Sequence, residues 1–265
     1  KENPLLVSVR SGAKISMPGM MDTILNLGMN DEVAESLAEI TSNPRFAYDS
    51  YRRFIQMYGS VVLEIPAYIF EDTYDNHKIN HNINNDSEVT TEILKAVIQD
   101  YKKNIHRLTG KEFENNLTQQ LIKAIEAVLK SWMSPRAVHY RKINNISEQE
   151  VLGTAVNIQS MVFGNKGNHS ATGVVFTRSP ADGERKIFGE FLINAQGEDV
   201  VAGIRTPQPI LAKEEKDGTS MQELMPKAYE ELISICAKLE SHYGDMQDIE
   251  FTIEEGKLYI LQTRK

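Results

Sequence analysis

Apolar positions alternate with polar ones at both ends of the chain and recur at helical spacing through its middle. Residues 5–10 form a short β-branched run that predicts a strand. A loop with two glycines and a proline follows over residues 11–19, and residues 20–27 predict a short helix ended by Gly28. Asp31 is placed to cap a helix running through Ile40, and Asn43-Pro44 opens another that runs to about Tyr58. Residues 72–86 are polar and asparagine-rich and predict an exposed loop. Helical spacing returns over residues 88–108, 111–132 and 135–142, with Leu121, Ile125 and Val128 on one stripe. From Gly153 the period changes to that of strands, over residues 154–163, 172–178 and 186–194, with turn-forming residues between them. Residues 197–205 lead into the proline-bearing stretch 206–209, and residues 221–242 predict one helix.

The chain closes on two strand patterns joined at Glu254-Glu255-Gly256. A three-residue loop there puts Ile253 opposite Lys257 and gives one face to Ile249, Phe251, Ile253, Tyr259 and Leu261. Asp248, Glu250, Gln262 and Arg264 then share the other face, whereas a two-residue loop would divide them. Two carboxylates, a carboxamide and a guanidinium side by side suit a magnesium ion with a polyphosphate. An exposed hairpin with ordinary surface charges is the other reading of the same residues.

Composition narrows the function classes. The chain is 41% hydrophobic and 25% charged, ordinary proportions for a soluble globular protein. Its 265 residues suit one large domain or two lobes. A formal net charge of -8 argues against a general nucleic-acid binder, so an anionic ligand requires a locally positive pocket. The one cysteine, Cys236, lies in a helical pattern, reads as a small buried residue, and allows no disulfide framework. With no signal peptide and no run of 18 apolar residues, the chain reads as cytoplasmic and without a membrane span. It begins at Lys1 already close to a strand, which reads as a piece of a longer protein.

No phosphate-binding loop of the G-x-x-x-x-G-K-[ST] type, no G-x-G-x-x-G after a strand and no protein-kinase motif is present. Candidate phosphate chemistry instead follows the first strand. Arg10 is read at the strand end, with backbone amides opened by Gly12 and Gly19 and a helix start near Met20 supplying positive dipole. Taken by itself, this stretch is equally a plain strand-loop-helix corner.

Residues 7–28, which contain Val9-Arg10-Ser11-Gly12 and Ser16-Met17-Pro18-Gly19-Met20-Met21-Asp22-Thr23, resemble the signature of the pyruvate, phosphate dikinase family in its amino-terminal nucleotide-binding domain. Residues 172–178, 189–209 and 246–250 are similar to the same family in the same order. Phosphoenolpyruvate synthase shares the Val-Arg-Ser opening and the Gln-Thr-Arg close, but not the Ser-Met-Pro-Gly-Met-Met-Asp-Thr continuation.

The resemblance implies an α+β, ATP-grasp fold that holds ATP between two α/β lobes. The first lobe would comprise residues 1–29 and 116–162, the second residues 163–265, and residues 30–115 a helical insertion. Arg10 would contact the phosphates, under a loop containing Gly19 and Met21. The stretch with Gln159, Met161 and Val162 would lie beside the adenine, Thr172 and Gly173 over the nucleotide, and Glu198 near the ribose. Asp248 and Arg264 would bind the polyphosphate, Glu250 and Gln262 would ligate Mg2+, and Arg10 and Arg264 would stabilise charge on the transferred group.

The implied reaction passes the β-phosphoryl of ATP to a carrier histidine on another domain, with phosphate giving pyrophosphate, and then to pyruvate. Implied partners are therefore ATP, phosphate, and the phosphohistidine and pyruvate-binding domains of a homodimeric parent, with a phosphate-binding lysine from a segment before Lys1. None of the six histidines shows metal-ligand spacing, and His169, in a Ser/Ala context faintly like the acceptor's, reads as surface. A phosphoenolpyruvate synthase domain and a free-standing ATP-binding module are the alternative readings.

Overall fold

The computed structural model describes residues 4–147, 149, 151–201, 205–212 and 219–265. Residues 202–204, part of the 189–209 stretch singled out above, lie outside the described residues. The protein mixes helices with two β-sheets and divides into two compact units, Lys1–Met161 and Val162–Lys265.

In the first unit, β1 (Val7–Ala13) is the centre of a three-stranded antiparallel sheet, between β2 (Thr23–Leu27) and β3 (Thr154–Ser160). The helix expected over residues 20–27 is thus a strand. Pairing satisfies backbone groups along one edge of β1 that a helix there would leave without partners, and it buries Ile24 and Leu27. Arg10 consequently sits inside β1, opposite Thr23 and Asn157, rather than at a strand end, and no helix begins near Met20. The amide of Gly12 also has a partner, donating to Thr154 Oγ1 at 3.0 Å.

The helices α1 (Asp31–Thr41), α2 (Pro44–Val61), α3 (Ala67–Asn80), α4 (Thr91–Thr109), α5 (Leu117–Ser131) and α6 (Pro135–Ile143) follow in order. Asn30, rather than Asp31, caps α1, its side chain accepting from the Val33 amide at 2.8 Å. The polar stretch expected to be a loop is mostly α3. Phe70 and Tyr74, one turn apart, are buried there, and Arg52 stacks 4.3 Å from the Tyr74 ring centroid. Two apolar anchors at helical spacing outweigh the poor propensity of the asparagines around them.

α5 starts six residues later than its spacing suggests. Phe113 leaves the helical path to fill a pocket between Tyr51, Phe54 and Tyr58, and Asn116 then caps the helix. Within α2, Asp49 accepts hydrogen bonds from Arg52 and Arg53, and Arg52 also reaches Gln56. Burial alone would raise the Asp49 pKa. The two guanidinium groups override it and hold the carboxyl well below the usual range.

The second unit holds five antiparallel strands: β4 (Ala171–Phe176), β5 (Phe188–Ile193), β6 (Gln208–Pro209), β7 (Asp248–Glu254) and β8 (Lys257–Arg264), in the order β6-β5-β4-β7-β8. The short helices α7 (Gly197–Val201) and α8 (Met221–Leu224) precede α9 (Pro226–Tyr243). The single helix expected over residues 221–242 is interrupted before Pro226, which sits at the start of α9, where its missing N–H costs nothing. Leu232 and Cys236 of α9 pack with Phe191, Ile249, Phe251 and Ile253 of the sheet to form the core of this unit. Burial pushes the Cys236 thiol up to about 12. Among the described residues, no helix is long and apolar enough to cross a membrane.

Candidate functional site

β7 sorts its side chains by alternation. Ile249, Phe251 and Ile253 are fully buried in the core, which leaves Asp248, Glu250, Thr252 and Glu254 on the opposite face. The turn to β8 differs from the sequence expectation. It has two central residues, Glu255 and Gly256, both left-handed (φ 50° and 84°), so Ile253 pairs with Leu258 and not with Lys257. Left uncorrected, that turn would send Gln262 and Arg264 to the core face. A β-bulge corrects it: Phe251 pairs with Ile260 and Glu250 with Gln262, leaving Leu261 as the extra residue.

The polar quartet therefore does share one face, with Asp248 opposite Arg264 and Glu250 opposite Gln262. The apolar partners change. Leu258 and Ile260 join the core, whereas Tyr259 lies opposite Thr252 on the polar face and Leu261 forms the bulge.

Arg264 binds both carboxylates, Nε to Asp248 Oδ2 at 3.0 Å and Nη2 to Glu250 Oε1 at 2.5 Å. The three side chains are 24–25% exposed, so these charges are shielded from water yet reachable by a ligand. Glu190 lies two strands over in the same cross-sheet row, beyond Val174, which separates it from Glu250. The face carries more negative than positive charge, which favours a cation.

Glu250 and Gln262 offer a carboxylate and an amide oxygen from directly opposed positions, hard donors suited to Mg2+. Among the described residues no group of three or more His, Cys, Asp or Glu side chains is placed to hold a metal. A two-donor protein site completed by water and substrate phosphate is the usual arrangement for magnesium in nucleotide enzymes.

The remaining residues singled out by sequence take the following places. Thr172, in β4, shares the polar face and contacts Thr252 through their hydroxyl oxygens at 3.2 Å. Gly173 occupies the opposite face, where a Cβ would lie 2.6 Å from Phe251 Cζ and 2.8 Å from Phe191 Cβ, so packing against the core requires glycine there. Glu198 is in α7, half-buried and outside the hairpin quartet.

In the first unit, Arg10 and Gln159 lie on the same face of the three-stranded sheet, one row apart. Gly19 (φ 68°) follows Pro18 in a turn closed by the Met20 amide on Met17 O at 3.1 Å, which is the signature of a type II turn. Met21 packs against the cluster of Met17, Trp132 and Val151. Asp22 ties the same loop down, its amide donating to Ser131 Oγ and its carboxylate pairing with Arg136. Met161 donates its amide to Leu6 O at 2.9 Å, and Val162 begins the second unit.

Sequence reasoning does not reach Glu190 or Glu254, and it puts Tyr259 on the apolar face. Glu254 was read as loop, although its parity with Asp248 and Glu250 already marked the polar face. Its carboxylate accepts from the Phe163 amide at 2.8 Å and pairs with Lys166.

Comparison with known proteins places the chain in a family. The model of the family described as "Pyruvate phosphate dikinase, AMP/ATP-binding domain" matches residues 1–229 and 212–265. The chain is 62% identical over 262 residues to a pyruvate, phosphate dikinase of Rickettsia conorii, covering 99% of this chain and 29% of the relative. It is 55% identical over 264 residues to the pyruvate, phosphate dikinase of Clostridium symbiosum, again covering 99% and 29%. A chloroplastic pyruvate, phosphate dikinase of Zea mays is 54% identical over 263 residues, covering 99% of this chain and 27% of that protein. The chain thus spans less than a third of the length of these relatives. With its whole length matched by the family model, the chain belongs to the pyruvate phosphate dikinase AMP/ATP-binding domain family.

Proposed function

We propose that this chain binds Mg-ATP in an ATP-grasp arrangement, as the nucleotide-binding part of a pyruvate, phosphate dikinase. Residues 1–29 with 116–162 make up one lobe, residues 163–265 the other, and residues 30–115 a helical insertion. Arg10 and Arg264 act on the phosphates, and Asp248 binds the same end of the nucleotide. Glu250 and Gln262 hold magnesium, which when bound neutralises phosphate charge and orients the phosphoryl group. Gln159, Met161 and Val162 present backbone to the base, Glu198 lies toward the ribose, and Gly19, Met21, Thr172 and Gly173 shape the enclosure. The parent enzyme passes the β-phosphoryl to a carrier histidine on another domain and then to pyruvate, with phosphate as the second acceptor. This protein's share of the chemistry is positioning and charge stabilisation, which is most of what phosphoryl transfer asks of a protein.

The observation that carries this reading is the opposed pairing of Asp248 with Arg264 and Glu250 with Gln262, in a chain of an AMP/ATP-binding family. Calorimetric titration of the chain with ATP, with and without magnesium, tests it. Magnesium-dependent binding that Glu250→Ala diminishes is the expected result. Binding indifferent to both magnesium and Glu250 would overturn the assignment.

A further inference from the structure

We propose that Glu254 is a positioning residue for the nucleotide base, tying the segment that follows Val162 to the strand bearing the metal and phosphate residues. The inference rests on the nucleotide reading above and extends it to a residue outside the assigned contacts.

Glu254 uses both carboxylate oxygens. Oε2 accepts from the Phe163 amide at 2.8 Å, and Oε1 pairs with Lys166, whose Nζ also lies 3.7 Å from Glu255. The Glu254 and Lys166 side chains are 18% and 19% exposed, so water screens the pair only weakly. A charged acceptor on a backbone amide is among the stronger hydrogen bonds available to a protein.

The same segment is gripped from another direction. Ala195 donates its amide to Gly164 O at 2.9 Å, and a Cβ on Gly164 would lie 2.4 Å from Ala195 O and 2.7 Å from Ala171 O. At the far end of the segment, the Glu255 amide donates to Ser170 Oγ at 3.0 Å and the Gly256 amide to His169 O at 2.8 Å. The β7–β8 turn thus fixes both ends of residues 163–170.

Glu254 also stands on the face that carries Glu250, four residues further along β7, which is roughly 13 Å at strand rise. That span is comparable with the extended reach from base to terminal phosphates in a nucleoside triphosphate. One strand of the second unit therefore both carries the residues assigned to the phosphate end and holds the backbone that follows Val162. Residues 163–166 carry no side chain that must touch ligand for this to work. The carboxylate acts through the backbone it holds.

Binding of Mg-ATP, Mg-GTP and magnesium tripolyphosphate to the full 265-residue chain tests the proposal, because tripolyphosphate reports the phosphate end without a base. Glu254→Ala is expected to weaken ATP binding about tenfold and to narrow the preference for ATP over GTP, with tripolyphosphate affinity held within about twofold. Glu254→Gln, whose amide oxygen still accepts from Phe163, is expected to restore most of the ATP affinity. Hydrogen exchange at the Phe163 amide should quicken in Glu254→Ala and recover in Glu254→Gln. Should Glu254→Ala not fold, Lys166→Met is expected to show a smaller loss in the same sense. Equal losses for ATP and tripolyphosphate, or unchanged ATP binding in a folded Glu254→Ala chain, would overturn the positioning role alone. A wild-type chain that binds neither ATP nor tripolyphosphate would overturn the nucleotide reading, and this inference with it.

Discussion

Arg264 bridges Asp248 and Glu250, so the two hairpin substitutions should fail in different ways. Under the assignment proposed above, Glu250→Ala removes a magnesium donor, and it leaves Arg264 with Asp248. ATP binding should then lose most of its magnesium dependence, as read by titrations across a series of magnesium concentrations. Under the same assignment, Arg264→Ala removes a charge-assisted phosphate contact worth roughly 1.5–3 kcal/mol, about ten- to a hundredfold in affinity. It also leaves two carboxylates on one face with no guanidinium between them. Its ATP affinity should fall, whereas the ratio of affinities with and without magnesium should stay the same or rise. Identical magnesium profiles for the two variants would show that they do not act on separate charges.

At the scale of the element, the β7–β8 hairpin reaches its working register by two compensating irregularities. The two-residue turn sets Leu258 and Ile260 into the core, and the extra Leu261 then returns Gln262 and Arg264 to the face of Glu250 and Asp248. Deleting Leu261 removes the bulge but keeps Gln262 next in line opposite Glu250. ATP affinity should therefore stay within a few-fold of wild type. Inserting one alanine between Leu261 and Gln262 moves Gln262 and Arg264 one step along the pleat and should abolish magnesium-dependent binding. The pair of variants, compared by calorimetry with secondary structure checked by circular dichroism, distinguishes register from mere loss of a side chain. An insertion that binds as well as wild type would count against the register argument.

For the whole molecule, stability in acid should be governed in part by a residue far from the hairpin in sequence. Asp49 ionises in the folded state well below its ordinary value, because Arg53 and Arg52 outweigh its burial. The folded-state pKa is depressed, so its contribution to stability is complete above the unfolded value of about 4 and is lost as pH falls below it. Asp49→Ala leaves the Arg52 and Arg53 guanidinium groups without their carboxylate and should cost about 3–5 kcal/mol at neutral pH, with a shallower acid limb than wild type. Denaturant unfolding at pH 7 and pH 3 measures both effects. Faster amide exchange in the Lys1–Met161 unit should accompany the loss.

Period and punctuation along the chain were enough to locate the strand-like ends, most helices of the middle, the caps at Asn43-Pro44 and the terminal hairpin. They were enough, too, to collect Asp248, Glu250, Gln262 and Arg264 on one face, because alternation is local physics. The loop length used to reach that grouping was wrong. The correction came from the bulge at Leu261, which is set by which residues the core accepts: Leu258 and Ile260 enter, and Tyr259 does not. Residues 23–27 became a strand because β1 had an edge to pair, and the asparagine-rich stretch became α3 because Phe70 and Tyr74 had helices to pack against. The hold of Glu254 on Phe163 joins positions 91 residues apart, and no local pattern contains it. What the sequence determined by itself was the periodicity of each segment and the chemistry each carried. Partners for edges, pockets for aromatic rings and the final register were decided only when distant segments met, since hydrogen bonding and burial at those places depend on neighbours that the chain order does not supply.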